Sequence, residues 1–143
     1  MTQIADEQVT SYFERYGWKF TRVREGVFRF AFRGEHGAFT AHLRVSANWI
    51  VFSINPYIKR PPSGFGPLTL RALAHANQTL PMAKIGIDDD GDAFLAVELP
   101  TEGFSYSQFS DSLSAIAYFS NSLILTLLQA NSLDTMTSAQ DVQ

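Results

Sequence analysis

The sequence contains no cysteine, and this absence excludes several kinds of chemistry at once. Without a thiol the chain can form no disulfide, use no cysteine nucleophile and offer no cysteine ligand to a metal. A chain free of cysteine is consistent with a reducing compartment. The first eight residues, MTQIADEQ, are polar and lack the apolar core of a signal peptide. We therefore predict a cytoplasmic protein.

Basic residues are missing from the whole C-terminal part of the chain. All eleven Lys and Arg residues lie at or before Lys84, where the net charge is +6, whereas the chain from Ile85 onward carries nine acidic residues and a net charge of -9. This asymmetry indicates either a basic face for an acidic partner or two halves that attract each other in the fold. The second explanation is the default, since folding commonly brings distant segments together.

Motifs that support catalysis or hold a cofactor are also missing. The chain has no G-x-S-x-G elbow, no phosphate loop and no dinucleotide fingerprint. The acidic run 88–92, DDDGD, fails as an EF-hand, because aligning Gly91 with the invariant glycine puts Gly86 and Val97 where carboxylates are required. The three histidines lack the spacing of a helical zinc site. We predict no catalytic residue, no metal ion, no cofactor and no enzyme activity.

Hydrophobic periodicity predicts the elements of the first half. Apolar residues recur at helical spacing over 3–16 and at alternating positions between Trp18 and Ile54. This pattern indicates an amphipathic helix followed by four strands with one buried face. The segment 55–67 contains four prolines and predicts a long irregular loop, after which Pro67 suits the first position of a second helix.

The stretch from His75 to Pro100 organises the second half. The second helix ends in Asn-x-x-Leu-Pro, and two strand-length runs, 83–88 and 93–99, are joined by an Asp-Gly turn typical of a β-hairpin. Ser105 and Gln108 then form a capping-box pattern that predicts the start of a third helix.

This succession over residues 75–120, with its Glu-Leu-Pro exit from the hairpin and its Ser/Phe-rich helix start, resembles the YbjN-type branch of the type III secretion chaperone-like superfamily. The resemblance implies a small α+β sheet layered with helices, usually a homodimer, that holds another protein without catalysis. We predict an α+β fold with an antiparallel sheet, helices mainly on one face, and the order α-β-β-β-β-α-β-β-α. A single domain is expected over 1–130, followed by a polar, disordered tail over 131–143.

The last predicted helix is apolar on nearly every side over residues 123–128, and no charge occurs between Asp111 and Asp134. Such a helix needs cover on more than one side. A membrane span is the rival explanation, but interspersed Ser, Thr, Asn and Gln residues and the lack of basic flanks argue against it. We expect the segment to contact a second subunit or a client through Leu123, Ile124, Leu125, Leu127 and Leu128.

The polar face of the predicted strands is the other candidate surface. Basic groups around an exposed aromatic ring can hold acidic peptides or stack nucleic-acid bases. An ordinary solvated face, with its tryptophan covered by the first helix or a dimer mate, remains the alternative. The predicted partner-binding residues are Arg29, Arg33, His42, Arg44 and Trp49.

These observations predict a noncatalytic protein-binding module, a chaperone-like or regulatory adaptor that acts as a homodimer on an unidentified protein partner. The alternative is a basic-face binder of nucleic acid or of an anionic small molecule. Nucleic acid is the weaker of these, because the sequence pI of about 5.5 opposes the long-range field on which such binding relies.

Overall fold

The computed structural model describes residues 4–141, and side chains as far as residue 137. Three helices and six strands follow one another in the predicted order. The helices are α1 (Asp6–Tyr16), α2 (Pro67–Thr79) and α3 (Tyr106–Asp141). The strands are β1 (Phe20–Arg24), β2 (Val27–Arg33), β3 (Ala38–Val45), β4 (Trp49–Ile58), β5 (Ala83–Ile87) and β6 (Ala93–Pro100).

The six strands form one sheet in the order β1-β2-β3-β4-β6-β5. Each neighbouring pair is antiparallel. The first four strands make a meander, and α2 then carries the chain past β4 so that β5 forms the far edge and β6 returns beside β4. The predicted α+β class and antiparallel sheet are confirmed.

The helices pack mainly on one face of this sheet, as predicted. Phe109 of α3 lies at the centre, with its ring 4.9 Å from that of Phe13 in α1 and 5.8 Å from that of Phe52 in β4. Alternate residues of the strands supply the rest of this layer, because successive side chains of a strand point to opposite faces. Its fully buried side chains include Val9, Phe13, Phe28, Leu43, Ile50, Phe52, Leu95, Val97, Phe109, Leu113, Ile116 and Leu127.

The local signals for turns and caps are confirmed in detail. Gly91 has φ of 89° in the hairpin turn, where the Asp88 carboxylate accepts hydrogen bonds from the N–H groups of Asp90 and Asp92, both at 3.0 Å. The capping box also forms: the N–H of Ser105 donates to Gln108 at 3.1 Å, and the N–H of Gln108 donates to the Ser105 hydroxyl at 3.3 Å. The acidic run 88–92 thus builds a turn.

The irregular loop predicted from residue 55 begins later in the structure, because β4 continues to Ile58 through a cis Asn55–Pro56 bond. After an irregularity in pairing, Ile58 lies opposite Ala93 of β6. Tyr57 and Ile58 are buried, and the Tyr57 hydroxyl donates to the Ser120 carbonyl of α3 at 2.6 Å. Burial of these two side chains keeps the strand going past the proline, which sheets tolerate at bulges.

The disordered tail predicted from residue 131 is wrong for 131–141, since α3 continues to Asp141; residues 142–143 lie outside the described part. The reason is Asp134, which is buried and binds the start of α2. Its carboxylate accepts from the N–H of Leu68 at 3.1 Å, and from the N–H and hydroxyl of Thr69 at 2.8 Å and 2.6 Å. Gly66, the N-cap of α2, offers no side-chain acceptor, so Asp134 caps α2 from 65 residues away.

Candidate interaction surfaces

The face of the sheet opposite the helices carries the predicted basic residues. Strand pairing places Arg29 opposite His42, His42 opposite Ser53, and Ser53 opposite Ala96, so that these four side chains form one row across β2, β3, β4 and β6. We call this surface the outer sheet face.

A second row lies beside the first. Arg24, Val27, Arg44, Val51 and Glu98 are successive cross-strand partners from β1 to β6. Arg24 therefore joins the basic group, which the sequence analysis missed. A shift in the β1–β2 register between Arg22 and Arg24 places Arg24 on this face. The alternation of side chains in the sequence does not reveal such a bulge, because a bulge is defined by the pairing with the neighbouring strand.

His42 lies among these arginines, and its titration reflects that position. Partial burial lowers the pKa of His42, and the positive charges of Arg44, Arg29 and Arg24 lower it further. Because each effect disfavours the protonated ring, His42 is neutral near pH 7.

Arg33 and Trp49 mark the two ends of the outer sheet face. Arg33 lies opposite Ala38, four residues and about 13 Å along the strand from Arg29 at ~3.3 Å per residue. Trp49 begins β4 next to the Arg44–Val51 pair and is 52% exposed. The cover predicted for Trp49 is thus not supplied by residues 4–137 of the same chain. The structure brings Arg29, His42 and Arg44 together and leaves Arg33 apart.

Few of the basic side chains are neutralised by an acidic one. Among the described residues, the Lys and Arg ion pairs within 4.0 Å are Arg22 with Asp6 and Lys84 with Glu98. Only the second joins the basic and acidic halves of the sequence. In this part of the chain, four arginines of the sheet have no carboxylate within that distance: Arg24, Arg29, Arg33 and Arg44.

The second candidate surface is the apolar segment of α3, and the structure divides its five predicted contact residues. Ile124 and Leu127 are 6% and 1% exposed and belong to the core, so the prediction that they meet another chain is wrong for a folded subunit. Leu123 is half-buried. Leu125 and Leu128 remain 53% and 44% exposed.

Further exposed apolar residues continue from Leu125 along α3. Tyr118, Leu125 and Met136 are seven and eleven residues apart, which places them on nearly one line at 3.6 residues per turn. We call the following exposed residues the α3 strip: Tyr118, Leu125, Leu128, Leu133 and Met136.

By its length and composition alone, α3 could cross a membrane. Its opposite side, however, packs Phe109, Leu113 and Ile116 into the sheet, the position of a core helix.

A cleft of 530 Å³ lies between the two surfaces, where β3 and β4 separate. Pairing between these strands stops at His42 and Ser53. Thr40 of β3, Asn55 of β4 and Leu128 of the α3 strip are among the residues that line the cleft. Within the described residues, no group of three or more His, Asp or Glu side chains could hold a metal ion.

Solved structures with this arrangement define the class of fold. The chain is similar to a chain of the heterodimeric ExoU–SpcU complex from the type III secretion system of Pseudomonas aeruginosa, with TM-score 0.57, 14% identity and coverage of 85% of this chain and 95% of that one. It is also similar to a chain of the HopA1–SchA chaperone–effector complex, with TM-score 0.59, 11% identity and coverage of 82% and 90%. The fold is secretion chaperone-like.

A third solved structure is also similar to this chain, and a match to a family model identifies the family. The complex of the Yersinia pestis type III secretion chaperone SycH with a fragment of YscM2 matches with TM-score 0.53, 16% identity and coverage of 82% and 97%. Residues 5–118 match the family described as YbjN, putative bacterial sensory transduction regulator, so the chain belongs to the YbjN family. No curated protein matches the sequence.

Proposed function

We propose that this protein is a noncatalytic, chaperone-like adaptor that binds another protein in the cytoplasm and acts as a homodimer. The observation on which this depends is the α3 strip. Five large apolar side chains, each at least 44% exposed, lie on one helix that already packs its other side into the core. Apolar surface gathered in this way usually marks a site of protein contact.

The comparisons support a protein partner through the fold that this chain shares with the similar structures. Two of the similar solved structures are complexes of chaperones with protein partners by their own descriptions, and the third is a heterodimer from a type III secretion system. The α3 strip would bury its leucines against the same strip of a second copy, because a twofold interface requires one self-complementary surface.

The oligomeric state tests this assignment directly. We expect light scattering coupled to size exclusion to give a dimer for the native chain and a monomer for Leu125→Asp, because a carboxylate would have to be buried unpaired in the interface. Val23→Asp is the matched control: Val23 is 42% exposed on β1, at the edge strand of the sheet, and receives the same substitution. It should leave the dimer intact.

Two outcomes would overturn the α3 dimer. A native chain that is monomeric at micromolar concentration has no dimer to explain, and dissociation by Val23→Asp but not by Leu125→Asp would move the interface to β1. Circular dichroism of both variants should match the native spectrum, because each replaced side chain is exposed. A photo-crosslinking residue at position 125 should then link two copies of the chain.

A further inference from the structure

We propose, as a refinement of the proposed function, that the outer sheet face around His42 binds an acidic segment of the partner protein. The α3 strip would join the two copies, and the outer sheet face would recognise the partner by charge.

Charge complementarity is the main reason for this assignment. Arg29 lies directly opposite His42, Arg44 is two residues from His42 on the same strand, and Arg24 is at the β1 end of the row that contains Arg44. Among the described residues none of the three arginines has a carboxylate within 4.0 Å. Arginine presents several N–H groups in one plane and forms paired hydrogen bonds with a carboxylate. Three unpaired guanidinium groups in one place therefore favour a ligand with several carboxylates.

The shape of the outer sheet face also suits the binding of an extended peptide segment. Ser53 and Ala96, which follow His42 in its row, are small and shielded, so the centre of the sheet is low while arginines rise beside it. A shallow cleft of 520 Å³ adjoins Arg29, and the further basic residue Lys19 lines it. A segment crossing the strands would meet basic groups at its start and the small side chains of Ser53 and Ala96 after them.

The same surroundings favour a protein ligand over a nucleic acid. Glu98 lies in the row of Arg44, two strands away, and Val51 stands between them. A polyphosphate backbone carries a negative charge at every nucleotide and would place one beside that carboxylate, whereas a peptide can leave that position uncharged. An acidic peptide can instead place carboxylates on the arginines and an apolar side chain on Val51 or Trp49.

Protonation of His42 gives the assignment a separate readout. The groups near His42 are Arg29 from β2, Ser53 from β4, Arg24 from β1, and Thr40 and Arg44 of its own strand. A second histidine, His36, lines the same cleft as His42. The free ring has a lowered pKa, and carboxylates of a bound ligand would raise it. Binding should then take up a proton, so that affinity rises as the pH falls from about 7.5 to about 6.

The experiment uses the full chain and a fluorescein-labelled synthetic peptide in which glutamates alternate with valines. Fluorescence anisotropy should show binding that weakens with salt, and the same peptide with glutamines in place of glutamates should bind at least about tenfold more weakly. Arg29→Glu with Arg44→Glu should reduce affinity for the acidic peptide by at least about tenfold. Arg60→Glu with Arg71→Glu is the matched control, since it makes the same change in net charge at exposed residues away from this face.

The pH dependence is tested with His42→Gln. This variant should still bind the acidic peptide at pH 7.5 but should lose the gain in affinity between about pH 7.5 and about pH 6 that the native chain shows. A gain that persists in His42→Gln would contradict the role of this ring.

Other results would overturn the assignment. They are equal affinity for both peptides, equal loss in the Arg60/Arg71 control, and tighter binding of a single-stranded oligonucleotide than of the acidic peptide. Dissociation of the dimer by the Arg29/Arg44 variant would instead make the face a contact between copies. Failure here leaves the Leu125→Asp test unaffected, so the two proposals can fail separately.

Discussion

The two faces of one sheet differ in what their side chains can do. The inner face alternates Phe28, Phe30 and Phe52 with neighbours that point away, and three helices cover it. The outer sheet face carries Arg29, which lies between Phe28 and Phe30 on β2, and Arg44, which follows the buried Leu43 on β3. Both arginines are exposed to solvent. Because one strand serves both faces, one set of its residues supplies the folding energy, and we propose that the other set supplies the recognition chemistry. Substitutions on the inner face should therefore mainly reduce stability, whereas substitutions on the outer sheet face should mainly reduce binding.

The largest effect is expected on the covered face, from Phe109→Ala. The ring is fully buried and contacts the rings of Phe13 and Phe52. Removing it leaves a cavity, and we expect a loss of about 3–5 kcal/mol in the free energy of unfolding. Urea unfolding followed by circular dichroism measures this loss. A change below about 1 kcal/mol would mean that the helix layer does not depend on this contact.

The next effect concerns the far end of the helix layer, where Asp134 caps α2. Burial raises the pKa of Asp134, but hydrogen bonds from the hydroxyl and N–H of Thr69 and from the N–H of Leu68 lower it by more, so that the net pKa lies below its usual value. Asp134→Asn keeps one acceptor oxygen and loses the other together with the charge. We expect a lower melting temperature at pH 7 and greater protease sensitivity of the segment after residue 130.

The pH dependence of that variant has a definite sign. A carboxyl group with a depressed folded pKa contributes stability above its unfolded value of about 3.9, and this contribution is lost as the pH falls through the folded pKa. The difference in melting temperature between native chain and Asp134→Asn should therefore be constant above about pH 5 and should shrink below about pH 4. Asp111→Asn, at an exposed site on the same helix, is the control and should show no such difference.

A smaller effect is expected from Tyr57→Phe, which removes one hydroxyl from the covered side. The hydroxyl donates to the Ser120 carbonyl at 2.6 Å, and burial raises the pKa of Tyr57. We expect a loss of about 1 kcal/mol, the usual net value of a hydrogen bond whose acceptor also belongs to a helix. Chemical unfolding should resolve it, and no loss at all would mean that packing of the ring alone holds β4 to α3.

The elements of the fold were predictable because their signals are local. Gly91 in a turn, the Ser105–Gln108 box and alternation over β2 and β3 each depend on a few neighbouring residues, and each is confirmed. What the sequence could not show depends on distant partners. Asp134 holds α3 to α2 across 65 residues, and Tyr57 holds β4 to α3 across 63, so both segments looked irregular when taken alone.

The candidate surfaces were likewise predictable in part, where local sequence patterns determine which residues share a face. Alternation placed Arg29, His42 and Arg44 on one face, because their order along the strands is sufficient for that. It could not place Arg24 there, since a bulge decides its side. Helical periodicity likewise marked 123–128 as apolar all round, but only the packing of α3 on the sheet shows that Ile124 and Leu127 face inward while Leu125 faces solvent.

The smallest effect on stability is expected where the effect on binding is largest. Arg44→Ala removes an exposed side chain with no ion pair among the described residues, so the free energy of unfolding should change by no more than about 0.5 kcal/mol. Loss of the Arg44 charge relieves repulsion from Arg24 and Arg29, which acts in the stabilising direction. The substitution should also raise the pKa of His42, which the positive charge of Arg44 lowers. An NMR titration of the His42 ring in both proteins measures the shift. A His42 pKa that does not move would mean that Arg44 extends away from the ring and that the basic group is not one site.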